Sequence, residues 1–288
     1  MKGNCEKMKK IIALLLALMM VFALIGCGGS SEAKTEEKKP LVFGTSADYA
    51  PFEFMYPDES GNMVYGGVDV SVAQYIADYL GMELQTENMD FGYLLTALNK
   101  GDFDIVLADI EPTEKRLAAV DFSDPYLTEL PNMFLVRAED ADKYTTIESF
   151  AGKNVGAQAG STKVDYIAND CPGAVCVQLS LVTDMVNQLV NGKLDAIMLD
   201  GNVAVNYAQT NSDLVVAGAS DFYAADHHEI CVAVAKGDPK GLLPGINEAI
   251  AKMIAEGKIE EFEALADSLS GVAEEVTGET PEGYTPDE

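Results

Sequence analysis

Gly101-Asp-Phe-Asp-Ile-Val-Leu-Ala-Asp-Ile-Glu-Pro-Thr-Glu-Lys-Arg-Leu-Ala-Ala-Val-Asp-Phe-Ser-Asp-Pro-Tyr126 is the stretch whose reading decides the fold. Phe103 to Ala108 is an apolar run interrupted only by Asp104, which predicts a buried strand in a sheet covered on both faces. Asp109 to Pro112 turns the chain, and the Thr113 hydroxyl can cap a helical turn ahead of Glu114. Arg116 then stands just beyond a strand's carboxyl end, where open α/β sheets take small molecules. Its rigid five-donor fork suits a carboxylate.

Upstream, Leu41–Thr45 predicts a buried strand, followed by a loop through Phe54 that Pro51 keeps out of helix. Val70, Ala73, Ile76, Ala77 and Leu80 recur at helical spacing, with Gly81 as the stop. Met82–Thr86 reads as a strand, and Phe91 begins a second helix carrying Leu94, Leu95 and Leu98. Alternating strands and helices at this spacing predict a parallel sheet with helices on both faces. Downstream, Asn132–Arg137, Asn154–Gln158, Leu194–Leu199 and Leu214–Ala217 read as strands of a second domain. Helices are expected near Thr162 and over Leu181–Val190. Ile230–Ala235 reads as a strand returning to the first domain, ahead of helices near Leu242–Glu256 and Ile259–Ala266.

The 288 residues suffice for two domains of ordinary size, and 48% hydrophobic content supplies their cores. A net charge of −28 argues against a nucleic-acid partner, because phosphate binding needs a basic face. None of the five cysteines forms a CxxC pair, so no structural zinc is expected. Cys171 and Cys176 permit a small-loop disulfide without demanding one. The adjacent His227 and His228 read as loop residues rather than metal ligands, since neighbouring side chains on an extended chain point apart. No cofactor is implied.

Lys7, Lys9 and Lys10 precede the uncharged run Ile11–Ile25, which is short for a membrane span and suits a signal-peptide core. Met8-Lys9-Lys10 makes a more usual start than Met1. The run ends in Leu24-Ile25-Gly26-Cys27, which resembles the lipobox of bacterial lipoproteins. That resemblance implies cleavage before Cys27, a diacylglycerol on its sulfur and a tether to the outer face of the cell membrane. Residues 27–40 then read as a flexible, lipid-anchored linker, and the acidic 271–288 as a disordered tail.

Arg116 in its turn, with Val120-Asp121-Phe122-Ser123-Asp124-Pro125-Tyr126 behind it, resembles the amino-acid-binding proteins of ABC transporters, the polar amino-acid group of extracellular solute-binding proteins. The resemblance covers about residues 41–267. It implies an α/β, two-domain periplasmic-binding-protein-like fold (type II) with two hinge crossings and a ligand cleft between the lobes. One lobe would comprise 41–128 and 226–268 and the other 132–218, with the crossings at Leu127–Pro131 and Gly218–Ala225. The implied partners are a free amino acid and an ABC permease with its ATPase, and the implied state is a monomer.

Residue by residue, the Tyr49-Ala-Pro-Phe-Glu segment is similar to the family's Tyr-x-Pro-Phe-Glu. Tyr49 and Phe91 would sandwich the ligand's side chain. Ala159-Gly160-Ser161-Thr162 matches the segment that meets the ligand carboxylate from the other lobe, where a helix N-terminus favours negative charge. Arg116, Ser161 and Thr162 would grip the α-carboxylate, and Asp200, at the end of another strand, the α-ammonium. Ala108, Asp109, Glu111 and Gln158 complete the expected site.

Glu111 departs from the serine or threonine common in the family, and Asp109 before it is also acidic. Glu111 can reinforce the ammonium contact, reach a cationic side chain or turn to solvent. Glu53 is a further acid nearby, and Lys163 opposes these charges. Where lysine/arginine/ornithine binders carry an acid, this chain has Ser46, which weakens the case for a basic ligand, so the ligand is expected to be a polar or cationic amino acid with only a slight lean to cationic. The competing class is a dehydratase-type enzyme on the same fold, with Glu111 and Lys163 as acid and base; a ligand-presenting sensor protein is the other.

Overall fold

The computed structural model describes residues 38–271. In chain order come β1 (Pro40–Thr45), β2 (Asp48–Tyr49), β3 (Glu53–Pro57), β4 (Met63–Gly66), α1 (Val68–Leu80), β5 (Glu83–Asn88) and a 3-10 turn at Phe91–Tyr93 leading into α2 (Leu94–Lys100). β6 (Ile105–Val106), α3 (Glu114–Ala119), β7 (Val120–Phe122), β8 (Leu127–Glu129) and β9 (Met133–Arg137) follow. Next are β10 (Asn154–Gln158), α4 (Lys163–Asp170), β11 (Val175–Leu179), α5 (Val182–Val190), β12 (Ala196–Leu199), α6 (Gly201–Thr210) and β13 (Leu214–Val216). β14 (His228–Ile230), β15 (Ala233–Ala235), α7 (Leu243–Ala255) and α8 (Lys258–Ser270) close the described chain.

Each lobe is built on a five-stranded sheet, ordered β5-β1-β6-β15-β7 in the first and β11-β10-β12-β9-β13 in the second. Both sheets are mixed rather than purely parallel. β5, β1 and β6 run parallel, as do β11, β10 and β12. The strands that arrive from the other lobe, β15 and β9, enter from the opposite direction and pair antiparallel. α1 buries Val68, Val72, Ala73, Ile76 and Ala77 along one stripe, and it stops at Gly81, whose φ of 69° is left-handed.

The two crossings are themselves strands, β8 and β14, paired antiparallel with Leu127 opposite Ile230. The return crossing therefore lies later than the expected Gly218–Ala225. That segment carries a 3-10 turn, Gly218–Tyr223, which the second lobe retains because Tyr223 is fully buried against Phe134, with ring centroids 6.1 Å apart. The expected strand Ile230–Ala235 is split between the crossing and the first sheet.

Cys171 and Cys176 are free thiols. Among the described residues no helix is long and apolar enough to cross a membrane. The signal segment, Cys27, most of the linker and residues 272–288 lie outside the described residues.

Candidate functional site

The carboxyl ends of β6, β10 and β12 point toward one another between the lobes. Tyr49, Phe91, Ala108, Asp109, Glu111, Arg116, Gln158, Ser161, Thr162 and Asp200 all line one cavity there, together with Lys163. Its volume is only about 10 Å³, so the lobes are closed on each other. Gly92 permits part of this approach, since a Cβ there would meet the Ala159 carbonyl oxygen at 3.2 Å.

Arg116 is positioned by α3, whose Thr113 cap accepts a hydrogen bond from the Arg116 amide at 3.2 Å. Its guanidinium donates through Nη1 to Glu111 Oε2 at 2.6 Å and to the Glu111 carbonyl at 3.1 Å, and it lies 5.4 Å from the centroid of the Phe91 ring. From the second lobe, the Thr162 hydroxyl donates to Glu111 Oε1 at 2.7 Å. Burial opposes charge on Glu111, but Arg116 and Lys163 outweigh it and hold the carboxyl well below the usual range. Of the three groups expected to take a ligand carboxylate, Arg116 and Thr162 thus share the protein's own Glu111.

Asp200 follows β12 and receives the Lys163 ammonium at 2.6 Å, with both side chains buried. The Tyr49 hydroxyl donates to Asp200 Oδ2 at 2.7 Å and accepts from the Asp200 amide at 3.1 Å. Tyr49 is therefore more than an aromatic wall: its hydroxyl ties the first lobe to the second. Burial works against charge on Lys163, yet Asp200, then Glu111 and Asp109, raise its pKa.

Asp109 differs from the other acids. It has a positive φ of 47°, a conformation that aspartate tolerates and most residues avoid. It is 3% exposed, and neither carboxylate oxygen has a hydrogen-bond partner. Its amide is fixed by Asp69 Oδ2 at 2.8 Å, and Asp69 in turn accepts from the Tyr126 hydroxyl at 2.6 Å. Burial, then the neighbouring Asp200 and Glu129, push the Asp109 carboxyl well above its ordinary pKa.

Gln158 donates to the Ser180 carbonyl at 3.2 Å and to Asp48 at 3.5 Å, while the Ser161 hydroxyl caps the Gln158 carbonyl at 2.8 Å. Ser46 bonds Asp48 at 3.1 Å. Glu53 is buried beneath the site beside Asp69 and does not line the cavity. Sequence reasoning left Lys163 out of the expected site. A signal was available, because a lysine in the first turn of a helix opposes the helix dipole and needs a local anion. Glu129 was also missed: it sits on crossing strand β8 and accepts from the Asn202 amide at 2.7 Å and side chain at 2.8 Å.

A profile of the bacterial extracellular solute-binding proteins, family 3, matches residues 41–264. The arginine-binding extracellular protein ArtP of Bacillus subtilis is 34% identical over 257 residues, spanning 88% of this chain and 96% of that one. The ABC transporter glutamine-binding protein GlnH of the same organism is 30% identical over 273 residues, spanning 88% and 96%. Among solved structures, the amino acid ABC transporter substrate-binding protein AbpA of Streptococcus pneumoniae, bound to L-arginine, superposes with a TM-score of 0.76 at 27% identity. It covers 82% of this chain and 97% of that one. Sheet order, paired crossings and a cleft at the strand ends agree with what these sequences say: the chain belongs to the bacterial extracellular solute-binding proteins, family 3.

Proposed function

We propose that the protein captures a free amino acid with a cationic side chain, of the arginine kind, by closure of its two lobes and delivers it to an ABC permease. In this reading it is held at the outer face of the cell membrane by lipid on Cys27. One observation carries the choice of a cationic ligand. The cavity is lined by three acids, Asp109, Glu111 and Asp200, against two bases, Arg116 and Lys163, and the unmatched carboxylate is the partnerless Asp109. A solute of net charge +1 balances that set with Asp109 ionised, and its charge offsets the burial that otherwise favours the protonated acid.

On capture the solute's α-carboxylate exchanges with Glu111 on Arg116 and Thr162, and its α-ammonium takes a place on Asp200 beside Lys163. Tyr49 and Phe91 flank its side chain. ArtP, an arginine-binding protein, and AbpA, bound to L-arginine, support the cationic choice. Micromolar capture corresponds to about −8 kcal/mol, within reach of exchanged ion pairs and two aromatic contacts after the costs of ordering.

The test is a thermal-shift screen of the full chain in mild detergent against the twenty amino acids, ornithine and citrulline. Arginine, lysine or ornithine is expected to raise the melting point, and citrulline, the uncharged isostere of arginine, is not. A rise confined to neutral amino acids overturns the cationic reading, and no rise with any of them overturns the amino-acid reading.

A further inference from the structure

The carboxylate cradle of this cleft already contains a carboxylate. Glu111 Oε2 meets Arg116 at 2.6 Å, Oε1 meets Thr162 at 2.7 Å, and the Ser161 hydroxyl is taken by the Gln158 carbonyl at 2.8 Å, so each side chain that would hold a solute carboxylate is matched from within the chain. Arg116 and Glu111 are each about a tenth exposed, so the pair is nearly desolvated. In a cleft that relies on the solute for this partner, a solute without a carboxylate leaves a buried guanidinium unpaired. That loss weakens binding by roughly a hundredfold or more. Here Arg116 keeps a partner whether or not the solute brings one.

Asp200 is likewise matched, by Lys163 and Tyr49. What stays unmatched is Asp109, nine-tenths and more buried, lining the cavity with both oxygens free of hydrogen bonds. The chemistry that answers it is a positive charge with N–H donors.

We propose that Glu111 is an internal counterpart of the solute carboxylate, so that the cleft also takes amines and guanidines that carry no carboxylate, held at Asp109. This rests on reading the cleft as the solute site, and it extends the ligands from cationic amino acids to carboxylate-free cations of similar length. Glu111 is then a specificity-determining residue, because it decides whether a carboxylate is required.

The experiment is calorimetric titration of the full chain in mild detergent with arginine and with agmatine, which has the arginine skeleton without its carboxylate. Dissociation constants within about tenfold of each other are expected. Arginine binding with agmatine a hundredfold weaker or silent overturns the proposal and leaves the amino-acid reading standing. Silence from both overturns the reading of the cleft itself, and the proposal with it. Glu111→Gln gives a second test, since it keeps a polar side chain beside Arg116 but removes the internal charge. The variant is expected to shift the arginine-to-agmatine affinity ratio at least tenfold toward arginine, and an unchanged ratio overturns the proposal.

Discussion

Glu111 follows a strand of the first lobe, Thr162 precedes a helix of the second, and the hydroxyl of one donates to the carboxylate of the other at 2.7 Å. This bond crosses the cleft, so it stabilises closure without contributing to either lobe alone. Thr162→Val removes the donor and leaves Glu111 with Arg116 only. A buried bond to a charged group is worth about 1.5–3 kcal/mol. The variant should show a larger radius of gyration by small-angle scattering, with each lobe's secondary structure intact by circular dichroism. An unchanged radius would show that other contacts hold the lobes together.

Lys163 and Asp200 form a buried pair at 2.6 Å. Removing one partner of such a pair strands the other charge, at a cost of about 3–5 kcal/mol. Lys163→Gln should therefore lower the melting point by roughly 6–20 °C, at about 2–4 °C per kcal/mol for a chain of this size. Arginine should restore more of this loss than it adds to the unaltered protein, because its ammonium can reach Asp200. Equal shifts in the two proteins would show that the solute makes no contact with Asp200.

Tyr49→Phe tests the tie between hydroxyl and Asp200 with little change in ring packing. Asp200 keeps Lys163 but loses both hydrogen bonds to the hydroxyl, about 1 kcal/mol each and so about 2 kcal/mol, or roughly thirtyfold in the dissociation constant for arginine. Calorimetry reads it directly. A dissociation constant that does not move would leave Tyr49 as a packing residue alone.

Burial pushes Glu129 up to about 8, with Asp200 adding to it, and Asp48 up to about 7. Acids with raised values bind more protons in the folded than in the unfolded chain. Their contribution to stability is thus full below the ordinary carboxylate range and is lost as pH rises toward 7 and 8. The melting point should fall between pH 5 and 8. A cationic solute near Asp109 and Glu129 favours their ionised forms, so arginine should bind more tightly as pH rises through the same window, releasing protons. Titrations in phosphate and Tris, which differ in ionisation heat, check the release. Identical heats would argue that no proton leaves on binding.

Much of this was legible in the chain because its signals are local. The buried strand expected over Phe103–Ala108 is present, shortened to Ile105–Val106, and the Thr113 cap and Arg116 follow from a few adjacent residues; so does α1 with its Gly81 stop, although its buried stripe includes Val68 and Val72 rather than the expected Val70 and Leu80. The return crossing was not legible. Gly218–Tyr223 looks like a loop, and it is contacts made in space, Tyr223 buried against Phe134 and the Ser220 hydroxyl accepting from the Phe134 amide at 2.9 Å, that assign it to the second lobe. The expected site residues do meet in one cavity, but sequence gave no view of their pairing. Glu111 faces Arg116 within the first lobe and Lys163 faces Asp200 within the second, and closure adds bonds between residues far apart in the chain, Thr162 to Glu111 and Tyr49 to Asp200. The lone carboxylate of Asp109 emerges only once the other charges have been matched in space.

The account stands on Asp109 as the anchor for a positive charge. The measurement that tests this most directly is calorimetric titration of arginine into the full chain and into Asp109→Asn, with glutamine as the neutral control. Asparagine keeps the shape of the side chain and removes its charge. The account predicts at least a tenfold loss of arginine affinity in the variant, with glutamine equal or improved. Arginine binding equally well to both proteins would contradict it.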